Sequence, residues 1–97
     1  MAKRIDIKKL EEAANRLRVL SHPMRIAIID LLIKHKRMNV TEIYTKLELE
    51  QAPVSHHLSL LKHQGLVKSV KVGRRSYYSL RQKALEKIIE CIKKCRK

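Results

Sequence analysis

The sequence contains no tryptophan and no phenylalanine, and Tyr44, Tyr77 and Tyr78 are its only tyrosines. So few rings weigh against the stacking platform that holds single-stranded nucleic acid, which needs several base-sized faces. The two cysteines, Cys91 and Cys95, both fall within seven residues of the C-terminus and cannot staple a domain. Two glycines and two prolines leave little room for long loops. No apolar run approaches the ~18 residues of a membrane span. Met1-Ala2-Lys3-Arg4-Ile5-Asp6 lacks the apolar core of a secretory signal. The expectation is a cytoplasmic protein with no membrane partner. Acidic residues are also scarce, 9 against 23 Lys and Arg, which gives a net charge of +14 on 97 residues. Charge of that size describes partners rather than fold, and nucleic acid leads the candidates. No paired carboxylates, Gly-rich phosphate loop or Ser/His/Asp set is visible. His22, His35, His56, His57 and His63 are scattered, so neither an enzyme nor a cofactor is expected.

What is present is periodic. Hydrophobic residues make up 44% of the chain, which is too many for a disordered polycation. In 7–20, Ile7, Leu10, Ala13, Ala14, Leu17 and Leu20 recur at helical spacing, with Lys9, Glu12, Arg16 and Arg18 outside them. Pro23 suits the first turn of a second helix, with Ser21 or His22 as its cap. Met24 to Ile33 is apolar on nearly every side, as befits a central helix, and Lys34-His35-Lys36-Arg37 complements its C-terminal dipole. Thr41 is expected to cap a short third helix over 41–47 that presents Ile43, Tyr44 and Leu47. A fourth, over 52–64, starts near Pro53, aligns Val54, Leu58 and Leu61, and stops at Gly65.

After Gly65 the period becomes two. Leu66 to Val72 alternates apolar and polar residues, Gly73-Arg74 turns, and Arg75 to Leu80 returns as a basic β-hairpin. Residues 82–95 form a last helix with Leu85, Ile88, Ile89 and Ile92 as its apolar face. The fold class is mainly α with a small β-hairpin, in the order α-α-α-α-β-β-α, within a single domain.

A short helix, a tight turn and a second helix with polar residues at its start form a helix-turn-helix over 41–64. A basic hairpin at 66–80 makes it the winged form. The charge distribution agrees. Residues 38–60 carry one basic and three acidic side chains, whereas 61–80 carry five basic and none acidic. A near-neutral helix flanked by positive charge suits base reading with phosphate positioning.

The sequence resembles the ArsR/SmtB family of bacterial winged-helix repressors. The residues that carry the resemblance are Leu20-Ser21-His22-Pro23-Met24-Arg25-Ile26, Val54-Ser55-His56-His57-Leu58 with Leu60-Leu61, Gly65-Leu66-Val67, and Gly73-Arg74 followed by Tyr78 and Leu80. The resemblance covers 17–80 and implies a homodimer on double-stranded operator DNA, with helices 7–20 and 82–95 as its interface. Leu10, Ala13, Leu17, Leu85, Ile88 and Ile92 are the expected interface residues. A two-fold axis would set two recognition helices about 34 Å apart.

The expected DNA contacts begin with Thr41, and Gln51 with Ala52 at the start of the recognition helix. Gln51 can read adenine through its amide. Ser55 matches the family's serine and can bond a phosphate or base edge, or else its own backbone. His56 occupies an exposed contact position. His57 matches the family's histidine and either contacts DNA or braces helix packing. Ser59 and Lys62 continue the same surface, with Lys68 and Lys71 as general phosphate candidates. Arg74 and Arg75 grip phosphate or the minor groove, and Tyr77 turns toward the DNA backbone while Tyr78 packs between wing and helix. The adjacent His56 and His57 point about 100° apart on a helix and do not face one metal.

The family's metal sensors take ligands from a Cys-rich motif on the third helix, where this chain has Val40-Thr41-Glu42-Ile43-Tyr44-Thr45. They also use an Asp/His/Glu set on the last helix, where this chain has Glu86 and Glu90 without histidine. No metal site of either kind is expected. Cys91 and Cys95, four apart on one helix face, can meet their copies across a two-fold axis and oxidise or take a soft metal. Alternatively they serve as small apolar residues. The effector is open. A charge-driven architectural or ribosomal-type protein remains the alternative to a sequence-specific regulator.

Overall fold

The computed structural model describes residues 5–94. Pro23 separates the first two helices. α1 (Ile7–Leu20) is opened by Asp6, whose side chain accepts the Lys9 amide, and α2 (Pro23–His35) is capped by His22, whose Nδ1 accepts the Met24 amide. α2 supplies the centre of the core with Ile28, Ile29 and Leu32. It ends at Lys36, whose φ of 70° belongs to a γ-turn closed by the Arg37 amide on the His35 carbonyl at 2.7 Å.

That turn delivers a short strand the period had not disclosed, β1 (Met38–Asn39). Asn39 then caps α3 (Val40–Leu47). Its side chain accepts the Glu42 amide at 2.8 Å while Glu42 accepts the Asn39 amide at 2.9 Å. This reciprocal box corrects the expectation that Thr41 is the cap. Thr41 lies inside the first turn, exposed, and Asn39 wins because its partner stands three residues on.

Glu48, in the left-handed region at φ 55°, closes the turn into α4 (Gln51–His63). α4 ends in a Schellman motif. The Gly65 amide bonds the Lys62 carbonyl and the Leu66 amide bonds the Leu61 carbonyl, with Gly65 at φ 74°. β2 (Val67–Val72) and β3 (Arg75–Leu80) then pair antiparallel from Val67 opposite Leu80 to Val72 opposite Arg75. Gly73 takes φ 64° and Arg74 keeps a negative φ, the pattern of a type II′ hairpin turn. β1 pairs with β3, so the wing is a three-stranded sheet in the order β1-β3-β2 and not a bare hairpin.

α5 (Ala84–Lys94) returns to α2. Leu85 and Ile89 enter the core, and Lys93 bonds Asp30 of α2 at 3.1 Å. The core gathers Ile28, Ile29, Leu32, Ile43, Leu58 and Leu61 around α2, fully buried or nearly so. It leaves α1 largely uncovered: apart from Leu20 and Val19, every described residue of α1 is exposed. No helix among the described residues is long and apolar enough to cross a membrane.

Candidate nucleic-acid interface

α4 has two faces of different character. Val54, His57, Leu58 and Leu61 are buried. Opposite them, Gln51, Ala52, His56, Ser59 and Lys62 are exposed and Ser55 is half-buried. The outward face carries no formal charge before Lys62, so it offers amide, hydroxyl and imidazole groups suited to base edges.

His57 departs from the DNA-facing set. It is 8% exposed and accepts a hydrogen bond at Nδ1 from Arg25 Nε at 3.0 Å. The His22 ring lies 4.7 Å away. Burial first, then the charges of Arg25, His22 and His56, hold its pKa below the ordinary imidazole value. Of the two roles the sequence left open, the structure places His57 in the brace. Its helical position, one residue after the exposed His56, turns it onto the Val54–Leu58–Leu61 side.

The wing meets α3 beside this surface. Thr41, Arg74, Arg75 and Ser76 line a recess of about 250 Å³ with Asn39 and Tyr78. The guanidiniums of Arg74 and Arg75 with the hydroxyls of Thr41, Ser76 and Tyr78 are groups that can bind an anionic oxygen. A broader groove of about 740 Å³ adjoins it through Thr41 and is lined by His35, Arg37 and Lys46 on its basic side. Arg37 places its guanidinium 4.8 Å from the centre of the Tyr77 ring, a cation–π contact. Tyr77 is half-buried. Sequence reasoning assigned Arg37 only to the helix dipole. Its one visible signal was the basic run that carries it. Arg25 had no signal as a brace, because its partner stands 32 residues away.

The family model for bacterial regulatory proteins of the arsR family matches residues 22–69, which span α2 to the first half of β2. The transcriptional repressor PagR of Bacillus anthracis is 37% identical across 92% of this chain and 89% of its own. The chain belongs to the ArsR family. The crystal structure of PagR superposes with a TM-score of 0.81, covering 90% of this chain and 99% of that one. HlyU of Vibrio cholerae, a transcriptional activator, is 28% identical; its structure gives a TM-score of 0.79 and covers 88% of this chain and 91% of its own. A homodimeric winged helix-turn-helix DNA-binding domain from Mycobacterium bovis, 27% identical, gives a TM-score of 0.82 over 96% of this chain and 87% of its own. This ArsR-family member is a transcriptional regulator on a winged helix-turn-helix, not an enzyme.

Two further surfaces bear on the family reading. Leu10 and Leu17 on α1 and Ile88 and Ile92 on α5 are 54%, 59%, 42% and 47% exposed, and Ala13 is exposed between the first two. Leu85 departs from this set: it is 5% exposed and belongs to the chain's own core. Cys91 is exposed on α5, whereas Cys95 lies outside the described residues. Among the described residues no three His, Cys, Asp or Glu side chains cluster to hold a metal ion.

Proposed function

We propose that this ArsR-family protein is a homodimeric repressor that reads an imperfect palindrome in double-stranded DNA. The observation that carries the reading is the uncharged outward face of α4 beside a basic wing. Gln51, Ala52, Ser55, His56 and Ser59 would enter the major groove and contact base edges. Thr41, Lys62, Arg74 and Arg75 would hold phosphates on either side, and the Arg37–Tyr77 stack would extend that track. The apolar stripe of Leu10, Ala13, Leu17, Ile88 and Ile92 supports a two-fold interface, as does the homodimeric neighbour. Facing its own copy, a protomer would bury the leucines of α1 and the isoleucines of α5 that it leaves in water. Repression follows from similarity to PagR. On this reading Cys91, exposed on α5, is a thiol that an oxidant can reach.

Selection of bound duplexes from a random pool at physiological salt tests the reading. Recovery of a palindrome bound at least about a thousandfold more tightly than random duplex is expected. Binding without enrichment would instead mean a charge-driven architectural protein.

A further inference from the structure

Two arginines tie α4 to the N-terminal helices. Arg25, in the first turn of α2, donates from Nε to His57 and from Nη1 to the Val19 carbonyl of α1 at 3.2 Å. Arg16 of α1 donates from Nε to the Gln64 carbonyl, at the end of α4, at 3.3 Å. The chemistry of the Arg25 contact fixes a proton. A guanidinium only donates. His57 Nδ1 must therefore present a lone pair, and the ring is neutral with its proton on Nε2. Protonation at Nδ1 would set one N–H against another between two cations.

We propose that Arg25 and His57 form a proton-dependent strut that fixes the recognition helix relative to α1, making Arg25 a positioning residue for DNA reading. The proposal rests on the reading of α4 as the DNA-contacting helix. With His57 neutral, one guanidinium joins α1, α2 and α4. With His57 protonated, Arg25 keeps only Val19, and α4 loses the tether at its midpoint. In a dimer seated on α1, the same change occurs at both recognition helices, so a small rotation alters both half-site contacts together. The groups whose charge bears on His57 are Arg25 from α2, His22 at the cap of α2, and His56 on α4 itself. α1 faces the strut with the neutral Val19 carbonyl.

Two measurements test the strut. The first is an NMR pH titration of the free wild-type protein, following the histidine rings and backbone amides. The second compares wild type with His57→Asn in binding the duplex recovered by selection, from about pH 7.5 down to about pH 5.5. Asparagine accepts from Arg25 but does not titrate. The amides of Val19 and of residues 51–63 should move with the His57 ring. Wild-type affinity should fall about tenfold relative to His57→Asn, the size expected for losing a hydrogen bond to a charged group. A His57 titration that leaves those amides unmoved would overturn the strut, as would parallel loss of affinity in both proteins. If selection recovers no duplex, the reading of α4 fails, while the wild-type titration still decides the strut.

Discussion

α4 and the wing sit side by side but are held by different forces and present different chemistry. α4 is anchored by buried side chains: Val54, Leu58 and Leu61 have no exposed surface, and His57 is bonded to Arg25. Its outward face is free of charge up to Lys62. The hairpin is anchored by its ladder and by Tyr78 and Leu80 against the core. Its outward positions include Lys68, Lys71, Arg74 and Arg75, all exposed. A rigidly seated neutral surface discriminates between bases, because a misplaced amide or hydroxyl loses its partner. A cationic ribbon attracts any phosphate and tolerates imprecise placement. The difference accounts for +14 on a chain whose reading surface is uncharged.

The largest effect should come from loosening the anchored member. Leu58→Ala removes a fully buried side chain beneath the reading surface. Urea unfolding should show a loss of about 2–5 kcal/mol, the range for such core truncations. A change at the surface of α1 should act on the pair of reading helices without touching either. Leu17→Glu places like charges across the proposed two-fold interface. Sedimentation should show monomers, and affinity for a palindromic duplex should fall by about tenfold or more.

Much of the contrast was legible in the sequence. Spacing delimited α1, and Pro23 with the basic run after Ile33 delimited α2; α4 and the strands were placed within a residue or so, because Pro53, Gly65 and Gly73 mark their boundaries. Where periodicity is short or mixed, it failed. β1 has two residues, too few to show alternation, and Asn39 within it took the capping role expected of Thr41. α5 carries two apolar stripes rather than one. Leu85 and Ile89 face the core while Ile88 and Ile92 face out, and a helix bearing apolar residues on adjacent positions does not say which stripe packs inward. The Arg25–His57 bond was invisible because nothing local links residues in different helices.

Smaller effects refine the anchoring. Because His57 is held below its ordinary pKa, the unfolded chain binds that proton more readily than the folded one. Its contribution to stability is complete above the ordinary imidazole value of 6.5 and is lost as pH falls through the lowered folded value. Urea midpoints should therefore drop on acidification, and less so in His57→Asn. Smallest of all, Glu48→Gly relieves a left-handed backbone at φ 55° in the turn between α3 and α4. It should raise stability by about 0.5–1 kcal/mol with unchanged discrimination between duplexes.

The division between reading helix and gripping wing is tested most directly by the salt dependence of binding for two variants, each on the selected and a random duplex. His56→Ala should lower the ratio of selected to random affinity about tenfold and leave the slope of log affinity against log salt unchanged. Arg74→Ala should weaken both duplexes alike and reduce the slope by about 0.9. If both substitutions change the ratio and the slope in the same way, the two regions do not divide the work, and the account is contradicted.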